Sequence, residues 1–498
     1  MGILSCAAAA QAEEPGCFAP GLDPPAKIAA CTRGIEGGPA ETRALALLAR
    51  AGAYTESGAT AKALADYDAA FRLAPPDAQA LLARGKLQND PGKAEADYTS
   101  ALGEDAGLAE AYALRGALRL KRGAVADGIA DLGEARRFNP NDPAPFKTRG
   151  AYFLENGDTA QAVAELQEAA RLSPNDPDLQ RMLGAAQLHA GAAQEALIPF
   201  NAAVAANAKD ATALRGRATA HARQGNYKAA IADFSAALAI SPKDAAALEG
   251  RGMAALHSGA FSDAIADFTA LASLRPGDAG PLFFRANARL QNGEAKDAAA
   301  DYSAFLARHA GDIEGLMGRA LARQFSGDYA GSEADFSAVL NRRPDAAQAL
   351  AGRGYVRVMR ARHAEAAADL AAAQRLPDAP AHLAVWRFIA ESRGGLKPAP
   401  ALAATLKTIA ADTWPGPVLR YFAGALSGDD VLVAATREPR DAPGRLCEAY
   451  YYLGEAAVMQ NDPAQAAKLF KAALATGMSR YTEYAAAQAG LEHLSGGP

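Results

Sequence analysis

Proline falls at positions 140, 174, 242, 276 and 344, and every gap is 34 residues or twice 34. The two skipped beats land on Ala208 and Ala310. A fixed period of this length in an Ala-rich, helix-favouring chain predicts helix–turn–helix units that stack as a solenoid, because no unit can bury its apolar face alone. The unit ending at Pro242 carries Gly225, Tyr227, Ala230, Phe234 and Ala237, and the unit ending at Pro276 carries Gly252, Gly259, Phe261, Ala264 and Phe268. Small side chains such as Gly252 and Ala264 suit a close helix crossing, and bulky Phe234 and Phe268 fill the gap between helices. Glycine turns the chain after the first helix and proline stops the second.

These units resemble tetratricopeptide repeats (TPRs), in which position 8 is small, 20 is Ala, 24 is aromatic, 27 is Ala and 32 is Pro. In this register units run over 44–75, 78–106, 109–140, 143–174, 177–208, 211–242, 245–276, 279–310, 313–344 and 347–378. An eleventh at 447–478 is marked by Gly454, Ala466, Phe470 and Ala473. The second unit is three residues short, since Gly85 to Tyr98 spans 13 residues where Gly252 to Phe268 spans 16. The resemblance implies an all-α fold, a right-handed superhelical solenoid of helix–turn–helix units with a helical C-terminal region.

Two positions of the repeat vary together. Position 7 is Arg in nine units, at 50, 84, 115, 149, 217, 251, 285, 319 and 353, and position 23 is acidic in the same nine, at 66, 97, 131, 165, 233, 267, 301, 335 and 369. The two units without the Arg (Leu183, Leu453) also lack the acid (Pro199, Leu469). Joint loss predicts an ion pair between the first and second helix of one unit, a contact that fixes register more than it adds stability. The other reading, an anion-binding stripe of nine arginines, requires each to be without a partner. Pro199 lies inside a second helix, where proline removes a hydrogen bond and costs about 3 kcal/mol. It predicts either a soft joint near 177–208 or a bend absorbed locally.

The rest of the chain divides by pattern. Residues 1–12 are small and apolar, and Ala10-Gln11-Ala12 fits a signal-peptidase site, so they read as a truncated signal peptide or else as a floppy end. Ile3-Leu4-Ser5-Cys6 has a weak lipobox character, which would make Cys6 a lipid anchor. In the lead segment, 13–43, Cys17 and Cys31 flank a Pro/Gly-rich stretch beside a repeat array free of cysteine, which suggests a disulfide and an exported, periplasmic location; two reduced cysteines in a cytoplasmic chain is the alternative. The array covers 44–378, and at 379–446 the period stops. That stretch holds both tryptophans, Trp386 and Trp414, with helices expected at 381–392, 401–412, 417–426 and 429–436 between Pro/Gly breaks. The final unit and a closing helix fill 447–498, and Cys447 is expected to be a buried small hydrophobe.

The order of a Trp-bearing helix, Tyr421-Phe422-Ala423-Gly424-Ala425-Leu426-Ser427, a last repeat and a closing helix is similar to the C-terminal half of the bacterial envelope lipoprotein NlpI. That resemblance implies an adaptor that presents peptidoglycan-processing enzymes to partners, although this chain carries many more repeats.

Charge excludes one class of partner: 51 basic against 56 acidic side chains give no footprint for nucleic acid. No apolar run reaches the roughly 20 residues that span a bilayer. None of the seven histidines forms a zinc-binding spacing with a neighbour, and no nucleophile elbow or phosphate-cradling loop occurs, so no enzyme activity, metal or cofactor is expected. Function therefore belongs to a surface. First-helix positions 2, 5, 9, 12 and 13 form the inner face of TPR arrays, and they give Lys147, Arg181, His189, Arg215 and Arg223, followed by Phe283, Asn287, Met317, Phe325, Tyr355 and Met359. A basic zone leading into an aromatic and Met zone predicts a groove for an extended peptide with acidic residues beside apolar anchors. The expected role is a non-catalytic interaction scaffold of the bacterial envelope; the alternative is a structural subunit of an export or polysaccharide-secretion assembly.

Overall fold

A computed structural model describes residues 16–37, 39–377 and 379–496, so the expected signal peptide and Cys6 lie outside the described residues. Among those residues there are 28 α-helices and no strand. The chain divides into two compact units, residues 1–220 and 221–498.

In the first, the lead helix α1 (Pro24–Gly37) precedes the pairs α2 (Ala40–Glu56) and α3 (Thr60–Leu73), α4 (Ala78–Leu87) and α5 (Pro91–Glu104), and α6 (Ala109–Lys121) and α7 (Val125–Phe138). The pairs α8 (Pro143–Glu155) and α9 (Thr159–Leu172), and α10 (Pro177–His189) and α11 (Ala193–Ala206), follow, and the division falls within α12 (Ala211–Arg223). The second unit continues through α13 (Tyr227–Ile240), α14 (Ala245–Ser258), α15 (Phe261–Leu274), α16 (Gly280–Gln291), α17 (Ala295–Leu306), α18 (Ile313–Phe325), α19 (Tyr329–Leu340), α20 (Ala347–Met359) and α21 (His363–Gln374). Four shorter helices come next, α22 (Leu383–Arg393), α23 (Ala399–Leu406), α24 (Gly416–Phe422) and α25 (Gly428–Ala435), and then α26 (Ala442–Met459), α27 (Pro463–Ala475) and α28 (Thr482–Leu494). The segment expected to be helical over 401–412 ends early, at Leu406.

Helices pack in chain order, and in both units the first helices of successive pairs also touch one another: α6 meets α8 and α8 meets α10, while α14, α16, α18 and α20 form a second such row. First helices therefore make one wall and second helices the other. Turn chemistry sets the reversal inside each pair. Within two residues of the end of the first helix the backbone takes positive φ at Gly58, Gly123, Gly157, Gly191, Gly225, Gly259, Gly293 and Gly327, and the same place is filled by Ala361 (φ 56°) and Asn461 (φ 59°). The shortened α4 leaves instead through Gln88 in extended backbone (φ −68°, ψ 126°), and Asp90 caps α5. Between helices the bulky residue of position 24 sits against glycine: a Cβ on Gly184 would come within 2.9 Å of the Phe200 ring, and one on Gly216 closer still.

The Arg–acid pairs form as forks across the two helices of one unit. Arg251 donates from Nε and Nη2 to both oxygens of Asp267 at 2.9 and 2.6 Å, and Arg285 does the same to Asp301 at 2.8 and 2.6 Å. Arg50, Arg115, Arg319 and Arg353 repeat the fork on Asp66, Asp131, Asp335 and Asp369. The remaining Nη1 reaches a side chain sixteen residues earlier, on the preceding second helix: Ser235 Oγ from Arg251 at 3.0 Å, Thr269 Oγ1 from Arg285 at 3.2 Å and Ser337 Oγ from Arg353 at 3.2 Å. One guanidinium thus ties its own unit together and to the unit before it. The anion-stripe reading fails because these arginines are already engaged.

Arg149 breaks the pattern. Sixteen residues before it stands Gly133, which offers no side-chain acceptor, and its acid is the longer Glu165, which meets Arg149 at 3.2 Å and Arg136 at 3.5 Å through the same oxygen. Arg149 Nε and Glu165 Oε2 stay buried without a partner, and burial lowers the pKa of the Arg149 guanidinium.

Pro199 leaves α11 continuous over Ala193–Ala206. Its ring is buried, as is Leu183 at the place of the missing Arg. The carbonyl that loses its donor belongs to Glu195, an exposed residue that water can serve. The division of the chain comes later than Pro199, at 220/221.

Candidate functional site

The two walls of first helices differ in what covers them. In the second unit, α28 packs on α18, α20, α26 and α27, so the chain's own C-terminus lies across two first helices of the array. Gln324 donates to Thr482 Oγ1 at 3.3 Å, the Tyr329 hydroxyl donates to the carbonyl of Ala485 at 3.1 Å, and His493 Nε2 lies 2.7 Å from the carbonyl of Met359. Ala485, Ala486, Ala487 and Ala489 supply a small-residue face that lets α28 approach closely. A gap of about 390 Å³ remains along this seam, lined by Tyr329, Met359, Arg360, Glu492 and His493 among others.

This arrangement corrects the expected aromatic and Met groove. Met317 and Phe325 are part-buried against the same core as α28, Tyr355 is 9% exposed and Met359 is 3% exposed. Tyr355 packs on the Trp386 ring with centroids 4.7 Å apart, and its hydroxyl lies 2.9 Å from His382 Nε2. Phe283 packs with Phe284, Tyr302 and Phe305, and Asn287 accepts from the Tyr302 hydroxyl at 2.8 Å. These side chains serve the chain's own packing.

Beneath α28 lies a polar network. Glu483 Oε1 accepts from Trp386 Nε1 at 2.9 Å and from the Tyr452 hydroxyl at 2.6 Å, and Glu448 Oε2 accepts from Trp414 Nε1 at 2.6 Å. Burial first, and then the neighbouring Glu483 carboxylate, push Glu448 up to about 7 against the opposing Trp414 hydrogen bond and Arg445 charge. Burial pushes His363 down to about 4, with Arg393 and His493 adding positive charge nearby, and it also lowers His382. Cys447 is fully buried and its thiol is pushed up to about 11, which leaves it inert as a nucleophile.

Among the described residues no element lies across the first helices α6, α8 and α10 of the first unit. A cleft of about 740 Å³ runs over α6, α8 and α10, floored by Ala117, Leu120 and Ala151 and edged by Lys121, Lys147, Tyr152 and Met182. Lys147 lies 3.9 Å from Asp176 Oδ2 and retains partial exposure. Arg181 is drawn aside by Asp178 at 2.7 Å and Asp210 at 3.6 Å, so it does not line the cleft. Arg215 and Arg223 each have interaction partners. Of the expected basic zone only Lys147 lines this opening. Lys121, at inner-face position 13, lines it too, and so do Tyr152 and Met182, at positions 10 and 6.

A family model described as "Tetratricopeptide repeat" matches residues 148–211, 200–245, 215–279, 317–380 and 448–481. The chain is a tetratricopeptide repeat protein. No curated protein matches it. Among solved structures it is similar to a TPR protein from Parabacteroides merdae, at 22% identity over 49% of this chain and 97% of that one, with a TM-score of 0.36. YrrB, described as a TPR protein with an unusual peptide-binding site, aligns at 19% identity over 37% of this chain and 95% of its own, with a TM-score of 0.35. The C-terminal part of a TPR protein from Cytophaga hutchinsonii aligns at 16% identity over 47% and 97%, with a TM-score of 0.40. TPR arrays act in protein–protein interaction. Among the described residues of this TPR chain no group of His, Cys, Asp and Glu is placed to hold a metal, and no helix is long and apolar enough to cross a membrane.

Proposed function

We propose that this protein is a non-catalytic interaction scaffold of the bacterial cell envelope, and that it holds an extended, acidic segment of a partner protein in the α6–α8–α10 cleft. The observation that carries the reading is the contrast between two equivalent walls: the apolar one is sealed by α28, whereas the one with Lys121 and Lys147 beside Tyr152 and Met182 stays open. Two lysines against the single carboxylate of Glu155, over an apolar floor, leave a net positive opening that suits carboxylates interspersed with apolar anchors. The envelope assignment draws support from the Cys17–Cys31 disulfide (S–S 2.04 Å), because such bonds persist in oxidising compartments.

A photo-crosslinking amino acid placed at Tyr152 and, separately, at Phe325 tests this in the living host. Protein adducts are expected at position 152 and not at 325, and Lys147→Glu should suppress them. Equal adducts at both positions, or none at 152, would sink the proposal. Fractionation of the same cells, with thiol trapping of Cys17 and Cys31 before and after reduction, checks the compartment.

A further inference from the structure

The second repeat departs from its neighbours in a way that changes the open wall. The first helices α6, α8 and α10 have 13 residues each, whereas α4 has 10. In the regular units a last turn of the first helix leads into the positive-φ glycine. In the second unit that turn is missing. A notch of about 370 Å³ lies between the α4–α5 turn and α6. Its floor is apolar, made by Ala94 and Tyr98 of α5 and by Leu114 and Leu118 of α6. Its rim is polar and basic, with Lys86, Gln88, Asn89 and Lys121. Lys86 is paired with Glu110 at 2.5 Å, and Gln88 reaches Asp97 at 3.4 Å, while Lys121 makes no ion pair among the described residues. Ala117 and Lys121 line both this notch and the 740 Å³ cleft, so the two openings are continuous along α6.

From this geometry we infer that the notch seats one aromatic side chain of the acidic partner segment that crosses the neighbouring cleft. The inference rests on the peptide-binding reading of that cleft and names the anchor it selects. Leu114, Leu118 and the Tyr98 ring offer an apolar bed to a flat ring, and aromatic groups gain most from such partly enclosed apolar sites. Lys121 stands where it can meet the face of the bound ring or a carboxylate next to it in sequence. A small side chain would leave the notch wet, and a basic one would meet Lys121 with like charge.

The test uses the full-length protein and two fluorescein-labelled twelve-residue peptides of alternating Glu and Ser. One has a single central Trp and the other has Ala in its place, and binding is followed by fluorescence polarisation. The Trp peptide is expected to bind roughly tenfold tighter, the scale of one interface hot spot. Asn89→Trp, an exposed rim change that places an aromatic ring over the notch from the protein's own side, should abolish that preference. Lys121→Glu should weaken both peptides. Equal affinities for the two peptides, with Lys147→Glu still weakening both, would overturn the notch and leave the cleft standing. A Trp preference that survives Asn89→Trp would also overturn it. Failure of both peptides to bind would remove the cleft reading as well.

Discussion

One repeat architecture gives this chain two first-helix walls with opposite fates. Over α18 and α20 the inner positions are Met317, Phe325, Tyr355 and Met359, and the chain covers them with α28. Over α6, α8 and α10 the corresponding surface carries Lys121, Lys147 and Glu155, and it remains a cleft. An Ala-faced helix can bury Met and aromatic side chains at a gain of roughly 25 cal/mol per Å², but it would strand ammonium groups away from water at a larger cost. The lesson is that an apolar inner face in a repeat array marks a place the chain closes on itself, and a mixed basic face marks a place left for others.

The sharpest way to break that contrast is Trp386→Ala. Trp386 is fully buried, packs at a tilt against Tyr355 and Tyr451, and donates to Glu483. Its loss should destabilise the 221–498 unit by about 3–5 kcal/mol, measured by denaturant unfolding monitored through the remaining Trp414. Tyr152→Ala on the open wall should cost about 1 kcal/mol. Similar costs for the two changes would show that the sealed wall is not built around the Trp386 ring.

A second comparison sets a complete clamp against an incomplete one. Arg251→Met leaves Asp267 buried without its fork and should cost about 3 kcal/mol in thermal or urea unfolding. The double change Arg149→Met with Glu165→Leu removes two groups that are already half-partnered, and stability should move by less than about 1 kcal/mol. A large loss in the double variant would mean that the Arg149–Glu165 contact matters despite its open valences.

The third effect is on pH dependence. Glu448, pushed up from its ordinary 4.5 to about 7, keeps its proton in the folded state where the unfolded chain has lost it. The contribution is fully present below pH 4.5 and is lost as pH rises through 7. Glu448→Gln should flatten this fall, by about 2 kcal/mol between pH 5 and 8 for a partly exposed group. An unchanged slope of unfolding midpoint against pH would show that Glu448 is not the group responsible.

The smallest expected effect lies in a turn. Ala361 holds a positive φ that its counterparts assign to glycine, and left-handed backbone costs a residue with a Cβ about 1–2 kcal/mol. Ala361→Gly should therefore raise the unfolding free energy of the 221–498 unit by about 1 kcal/mol. Asn461→Gly should gain less, because Asn tolerates this conformation.

Much of this fold was legible in the sequence for physical reasons. The Pro period, the glycine turns and the position-24 rings each report a local requirement, a helix end, a positive φ or a close crossing, that one repeat meets by itself. Joint loss at Leu183/Pro199 and Leu453/Leu469 revealed the Arg–acid fork, because a buried charge cannot be kept without its partner. The Nη1 bond to the preceding unit was hidden, since Thr, Ser, Asn and Asp all accept it and no single residue type recurs. Pro199 misled because the cost of an interior proline depends on whether water reaches the orphaned carbonyl, and that is a matter of burial. Of the residues expected on the inner face, Lys147 lines the open cleft, where Lys121 joins it, whereas Tyr355, Phe325 and Met317 pack in the chain's own core.

The sequence by itself determined the repeat, its register, its turn glycines, the Arg–acid fork and the position of its faults at 78–106, 177–208 and 379–446, since all of these are set by contacts between residues close in the chain. Only the tertiary structure decided which wall is open. That depends on α28 meeting α18 and α20 across more than a hundred residues, after a non-repeating stretch turns the chain back. No periodic pattern records such a meeting, because burial of an inner face is a property of whatever lies opposite it.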